Sequence, residues 1–116
     1  MKLKLAAIFS VQFIALVASA HTLDFHIEKG TVEKPWNSVT TPIRARVGDT
    51  IRFFNDDSVV HRLHTYGAPC EHGPDFDPGS TFDCIVTSGY SSSTDGPLYD
   101  HNYGESAEVW FEVTPL

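Results

Sequence analysis

Gly48-Asp49-Thr50-Ile51-Arg52-Phe53-Phe54-Asn55-Asp56-Asp57-Ser58-Val59-Val60-His61-Arg62-Leu63-His64 is the stretch on which the fold reading turns. Thr50 to Asn55 is rich in β-branched and aromatic residues and reads as a strand. Gly48-Asp49 before it is a turn signal, and Asn55 to Ser58 after it is a polar turn. Val59 to Thr65 reads as a second strand, and it carries two histidines three residues apart. On a regular strand, positions i and i+3 point to opposite faces. His61 and His64 can therefore share one ion only where the strand bends or bulges at Arg62-Leu63. On that reading one of them is a ligand and the other an orienting or surface group.

The flanking sequence keeps the same two-residue period. Leu23, Phe25 and Ile27 alternate with Thr22, Asp24, His26 and Glu28, the pattern of a strand with one buried face. Val39 to Val47 places Ile43, Ala45 and Val47 on one face and Arg44 and Arg46 on the other. Pro42 confines that strand to an edge or marks its start. Tyr66 to Gly79 holds three prolines and three glycines besides its polar residues, and reads as a long irregular loop. Ser80 to Thr87 is a further strand, Ser88 to Pro97 a Ser/Gly-rich loop, Leu98 to His101 a short strand, and Asn102 to Ser106 a tight loop. Ala107 to Val113 is the last strand. No window sustains a helical period. About seven short strands with frequent turns predict an all-β sandwich or barrel.

The first twenty residues stand outside this pattern. Met1 to Lys4 is a short positive start, Leu5 to Val17 is apolar apart from Ser10 and Gln12, and Ala18-Ser19-Ala20 has the small-residue form of a cleavage site. Residues 1–20 read as a secretory signal peptide and 21–116 as a single domain. The apolar run is short of the roughly 20 residues of a membrane-spanning helix. The expected product is periplasmic or secreted, with no membrane contact after cleavage. Net charge is −7 for the whole chain, and −9 once Lys2 and Lys4 are removed, six basic residues then facing fifteen acidic ones. Beyond Arg62 there is no Lys or Arg at all. Nucleic acid and anionic lipid need basic patches, so both are excluded as partners, whereas a metal cation or a cationic partner suits this balance.

Six histidines are the chain's chemical resource: His21, His26, His61, His64, His72 and His101. Imidazole is the commonest protein ligand for copper and zinc. His101 follows Asp100 at a strand end, where a neighbouring strand can bring it beside His61, with Asp100 or a backbone carbonyl fixing its tautomer. His72 lies in Pro69-Cys70-Glu71-His72-Gly73. Cys70 and Cys84 are the only cysteines, and an even pair in an exported chain is most simply a disulfide. It would close a loop of about fifteen residues and contribute roughly 3 kcal/mol in the chain-entropy account. The alternative leaves Cys70 as a thiolate ligand beside His72. No nucleophile motif and no phosphate loop is present.

Val47 to His61 resembles the cupredoxins, the small exported copper proteins related to plastocyanin. Their V-x-x-G-D-x-V-x-F-x-N-like strand pair leads to the first histidine ligand. Asp77-Pro78-Gly79-Ser80-Thr81-Phe82 resembles their P-G-x-x-Y/F stretch, Leu98-Tyr99-Asp100-His101 their ligand-delivering strand, and Ala107 to Val113 their closing strand. The resemblance covers most of residues 38 to 113 and implies a Greek-key β-sandwich. It departs where blue-copper members carry Cys, His and Met: Tyr99 to Ala107 contains neither Cys nor Met. Aligned on Tyr99, His101 takes the cysteine's place. The resemblance thus implies His61 as a ligand, proposes His101 by position, and carries over no thiolate. Copper held by imidazoles alone is pale and tetragonal rather than blue.

These readings predict an exported copper-binding protein in copper handling or electron transfer, with zinc second to copper. Its ligands are His61 and His101, with His64 and His72 to complete the site, and its partners are the metal ion and a redox or copper-transfer protein. Two other readings stay open, and an enzyme is the less favoured outcome. One is a metal-free interaction domain, in which His61 and His101 lie apart. The other is a copper oxidase using His21 as an N-terminal brace, which needs a second histidine beside it. The cupredoxin layout places the chain start at the opposite end of the barrel, so such a brace would be a separate site.

Overall fold

The computed structural model describes residues 20–115, and the expected signal peptide lies outside the described residues except for Ala20. Those residues are nearly all-β, with nine short strands and one helical turn among them. β1 (Thr22–Ile27), β3 (Thr50–Asn55) and β5 (Thr81–Ile85) form one sheet in the order β1-β3-β5, β1 parallel and β5 antiparallel to β3. β2 (Ile43–Arg46) runs parallel to β9 (Phe111–Thr114), which pairs on its other side with β6 (Tyr90–Ser91). β4 (Leu63–His64), β7 (Leu98–Asp100) and β8 (Gly104–Val109) make the third sheet, antiparallel throughout.

Phe53 on β3 joins the layers. Its ring lies 5.6 Å from Phe25, 5.5 Å from Trp36 and 6.4 Å from Phe111 on β9, all edge-on. Phe53, Ile51 and Ile27 are fully buried, as are Leu63, Val109 and Phe111 from the other two sheets. Each such side chain contributes roughly 1.5–3 kcal/mol by leaving water. Pro42 directly precedes β2, which pairs only with β9 and is therefore an edge strand.

Three segments depart from the sequence expectation. Residues 107–113 form not one strand but two, and β8 already begins at Gly104, inside the expected tight loop. The Asn37 side chain causes the break by taking the Trp110 backbone, accepting from its N–H at 2.7 Å and donating to its carbonyl at 3.0 Å. The expected loop from Ser88 to Pro97 contains β6 and a helical turn, α1 (Ser92–Asp95). The Glu112 carboxylate fastens it, accepting from Ser91 Oγ at 2.7 Å and from the Ser93 N–H at 2.9 Å. The strand expected over 59–65 shrinks to Leu63–His64 plus a single bridge between His61 and Phe76.

Cys70 and Cys84 are joined in a disulfide, which leaves neither as a thiolate ligand. The bond ties the long loop after β4 to β5, and so anchors the segment that carries His72.

Candidate metal centre

Side-chain parity on two short strands sorts the site residues. Leu63 pairs with Asp100 and His64 with Tyr99. Leu63, Leu98 and Asp100 face inward and are at most 2% exposed, and His61, two residues before Leu63, is fully buried with them. His64, Tyr99 and His101 have the opposite parity and face out. His64 stacks on Tyr99, the ring centroids 4.4 Å apart and the planes 13° from parallel.

On the outer face three imidazoles converge. His64 Nδ1 is 3.2 Å from His101 Nδ1, His72 Nε2 is 3.0 Å from His64 Nδ1, and His72 Nε2 is 3.2 Å from His101 Nδ1. Among the described residues no other three or more metal-capable side chains bring one ligand atom each within 4.8 Å of one another. Backbone bonds bring His101 and His72 to the short segment that carries His64. The His101 N–H donates to the Arg62 carbonyl at 2.7 Å, and the Gly73 N–H donates to the Leu63 carbonyl at 3.0 Å, holding His72 over β4. His72 Nδ1 lies 3.0 Å from the Gly73 carbonyl, to which it can only donate, and this leaves Nε2 as a free lone pair. Arg62 Nε donates to the same carbonyl at 2.7 Å.

Hydrogen bonds alone cannot satisfy this triangle. His72 Nε2 carries a lone pair, so one proton on His64 or His101 still leaves two lone pairs facing each other, and two protons face each other instead. A central cation satisfies all three nitrogens. Separations of 3.0–3.2 Å suit nitrogens that would share one ion at metal–nitrogen bonds of about 2.0–2.1 Å, and His64, His72 and His101 would hold it. His101 is exposed, so the cluster is reached from solvent. The His64 pKa is lowered, first by burial and then by the neighbouring His72, His101 and Arg62 charges, which keeps the ring neutral and ready to donate.

His61 does not join this cluster, which corrects its expected role as the first ligand. Its Nδ1 lies 2.5 Å from Asp100 Oδ2 and its Nε2 2.9 Å from Asp57 Oδ2, so both nitrogens are taken on opposite sides of the ring. The expected pairing of His61 with His101 fails for a reason of parity, because the inward neighbour on β7 is Asp100. The His61 pKa is raised: burial alone would lower it, but the hydrogen bonds to Asp100 and Asp57 and their charges outweigh that. The Asp57 pKa is lowered against the opposing effect of burial, by donors from Gly30, His61, Ser58 and Thr31. Trp36 and Tyr103 pack edge-on to the His61 ring, each centroid 5.7 Å away.

His21, proposed as a brace, is held elsewhere. Its N–H donates to Asp49 Oδ1 at 3.0 Å and its carbonyl accepts from Thr50 at 2.9 Å. His26 pairs with Asp56 at 2.6 Å on the surface.

No protein-family model matches the chain. No curated protein matches it. Among solved structures it is similar to the oxidized P96G mutant of amicyanin, with 14% identity over 89% of this chain and 88% of that one, at a TM-score of 0.49. No helix among the described residues is long and apolar enough to cross a membrane.

Proposed function

We propose that the protein is an exported, cupredoxin-like copper-binding protein whose ligands are His64, His72 and His101. The observation that carries this is the mutual approach of three ring nitrogens to 3.0–3.2 Å. Three neutral imidazoles suit copper first and zinc second, because divalent copper heads the affinity order for nitrogen donors. The exposed edge at His101 favours taking up and passing on the ion over long-lived electron-transfer duty. Bound copper would supply an electrophilic centre with open coordination positions, while the chain's own residues fix the three nitrogens and their tautomers. The disulfide supports export, since such bonds persist in oxidising compartments.

Titrating the purified protein with Cu(II) and, separately, Zn(II) tests the reading. One copper per chain is expected, held more tightly than zinc, with weak visible absorption and no intense thiolate band. Failure to bind either ion at micromolar concentration would overturn it.

A further inference from the structure

Asp100 is fully buried and never reaches the cluster, yet it frames the ligand beside it. Its Oδ1 accepts the N–H of Asn102 at 2.9 Å and that of Arg62 at 3.3 Å. The first of these closes a side-chain turn over two residues, with His101 enclosed at its centre. The Tyr103 N–H returns to the Asp100 carbonyl at 3.2 Å, and the His101 N–H is spent on Arg62. The direction in which His101 leaves β7 is therefore set by the Asp100 carboxylate and by the strand segment opposite. The other carboxylate oxygen, Oδ2, is pinned by His61. His61 is in turn pinned by Asp57, whose oxygens also hold the Gly30, Thr31 and Ser58 N–H groups.

We propose that Asp100 is the positioning residue of the three-histidine site. Its carboxylate builds the turn that aims His101, and His61 is the buried post that fixes that carboxylate. The position that the sequence resemblance gives to a metal ligand thus serves as scaffold for a site one layer further out. This rests on the cluster being a metal site, and adds residues that do not touch the ion.

The test compares Asp100→Ala, which deletes the acceptor, with Asp100→Asn, whose amide oxygen can still accept from Asn102 while its NH2 donates to Nδ1 of a His61 ring protonated at Nε2 alone. Copper affinity, the number of coordinated imidazoles by electron paramagnetic resonance, and thermal stability are read on each. Asp100→Ala should bind copper about 10–100-fold more weakly, the range found for groups that orient ligands, and show two imidazoles. Asp100→Asn should keep three imidazoles and stay within about threefold of wild type, below that range. A three-imidazole spectrum and unchanged affinity in a folded Asp100→Ala would overturn the proposal, as would an Asp100→Asn as impaired as the alanine variant. Should the alanine variant fail to fold, Asp100→Asn decides, together with hydrogen exchange at the Asn102 amide in the metal-free wild type. Slow exchange is expected, and exchange at the rate of an open turn overturns the proposal. The exchange readout needs no metal, so it judges the turn even if wild type binds no copper, a result that would instead refute the copper reading.

Discussion

The imidazole of His61 lies between Asp57 and Asp100 with both ring nitrogens facing carboxyl oxygens, an arrangement that the doubly protonated ring satisfies by donating to each. Removing it leaves two buried carboxylates without their shared partner. His61→Ala should therefore lose about 3–5 kcal/mol, the usual result of breaking a buried ion pair from one side. Urea unfolding of the metal-free protein measures it. The pH dependence has a definite sign. The His61 pKa is raised above its ordinary 6.5, so its contribution is complete below that value and is lost as pH rises through the folded value. Asp57 acts the other way: its folded pKa is lowered from 3.8, so its contribution is present above 3.8 and is lost as pH falls through the folded value. Wild type should thus lose stability on the alkaline side of 6.5, and His61→Gln should lack that decline. A variant whose alkaline limb matches wild type would remove His61 from this role.

At the level of elements, the site depends on how the loop after β4 is laid over β4 and β7. Gly73 sits at the contact. A Cβ there would lie 3.1 Å from Phe82 Cζ and 3.4 Å from the Leu63 carbonyl, the group that receives the Gly73 N–H. Gly73→Ala should cost about 1–3 kcal/mol by overpacking and shift His72 away from His64 and His101. Copper affinity should fall with it, as competition against a chelator would show. Replacing both Cys70 and Cys84 by Ala frees the same loop from β5, at a cost of about 2–5 kcal/mol. Thermal unfolding of the double variant measures this. Strand parity was legible in the sequence here. Leu63 and Leu98 must face the core, and counting from them places His61 and Asp100 inside and His64, Tyr99 and His101 outside. The strand argument separated His61 from His64, but the family pattern drew His61 into the site. Parity counted from Leu98 would have sent His101 the other way. The placement of His72 had no such signal. It lies in an irregular loop and is set by contacts with other segments, the Gly73 to Leu63 backbone bond, the Arg62 bond to the Gly73 carbonyl and the Cys70–Cys84 disulfide.

Across the molecule, the alternating strands, the turn at Gly48-Asp49, the edge strand after Pro42 and the Cys70–Cys84 pair could all be read from residue patterns, because each has a local physical cause. What could not be read depends on distant partners, such as Asn37 breaking the final strand and Glu112 ordering the serine run. The histidine cluster is of the second kind, since it draws one histidine each from β4, the long loop and the end of β7. The most direct test is electron paramagnetic resonance of the Cu(II)-loaded protein, with its nitrogen couplings resolved, in wild type and in His72→Ala. The account predicts tetragonal copper with three imidazoles in wild type, and loss of one imidazole with affinity reduced by roughly a hundredfold or more in the variant. An unchanged spectrum in His72→Ala, or no saturable copper binding in wild type, would contradict it.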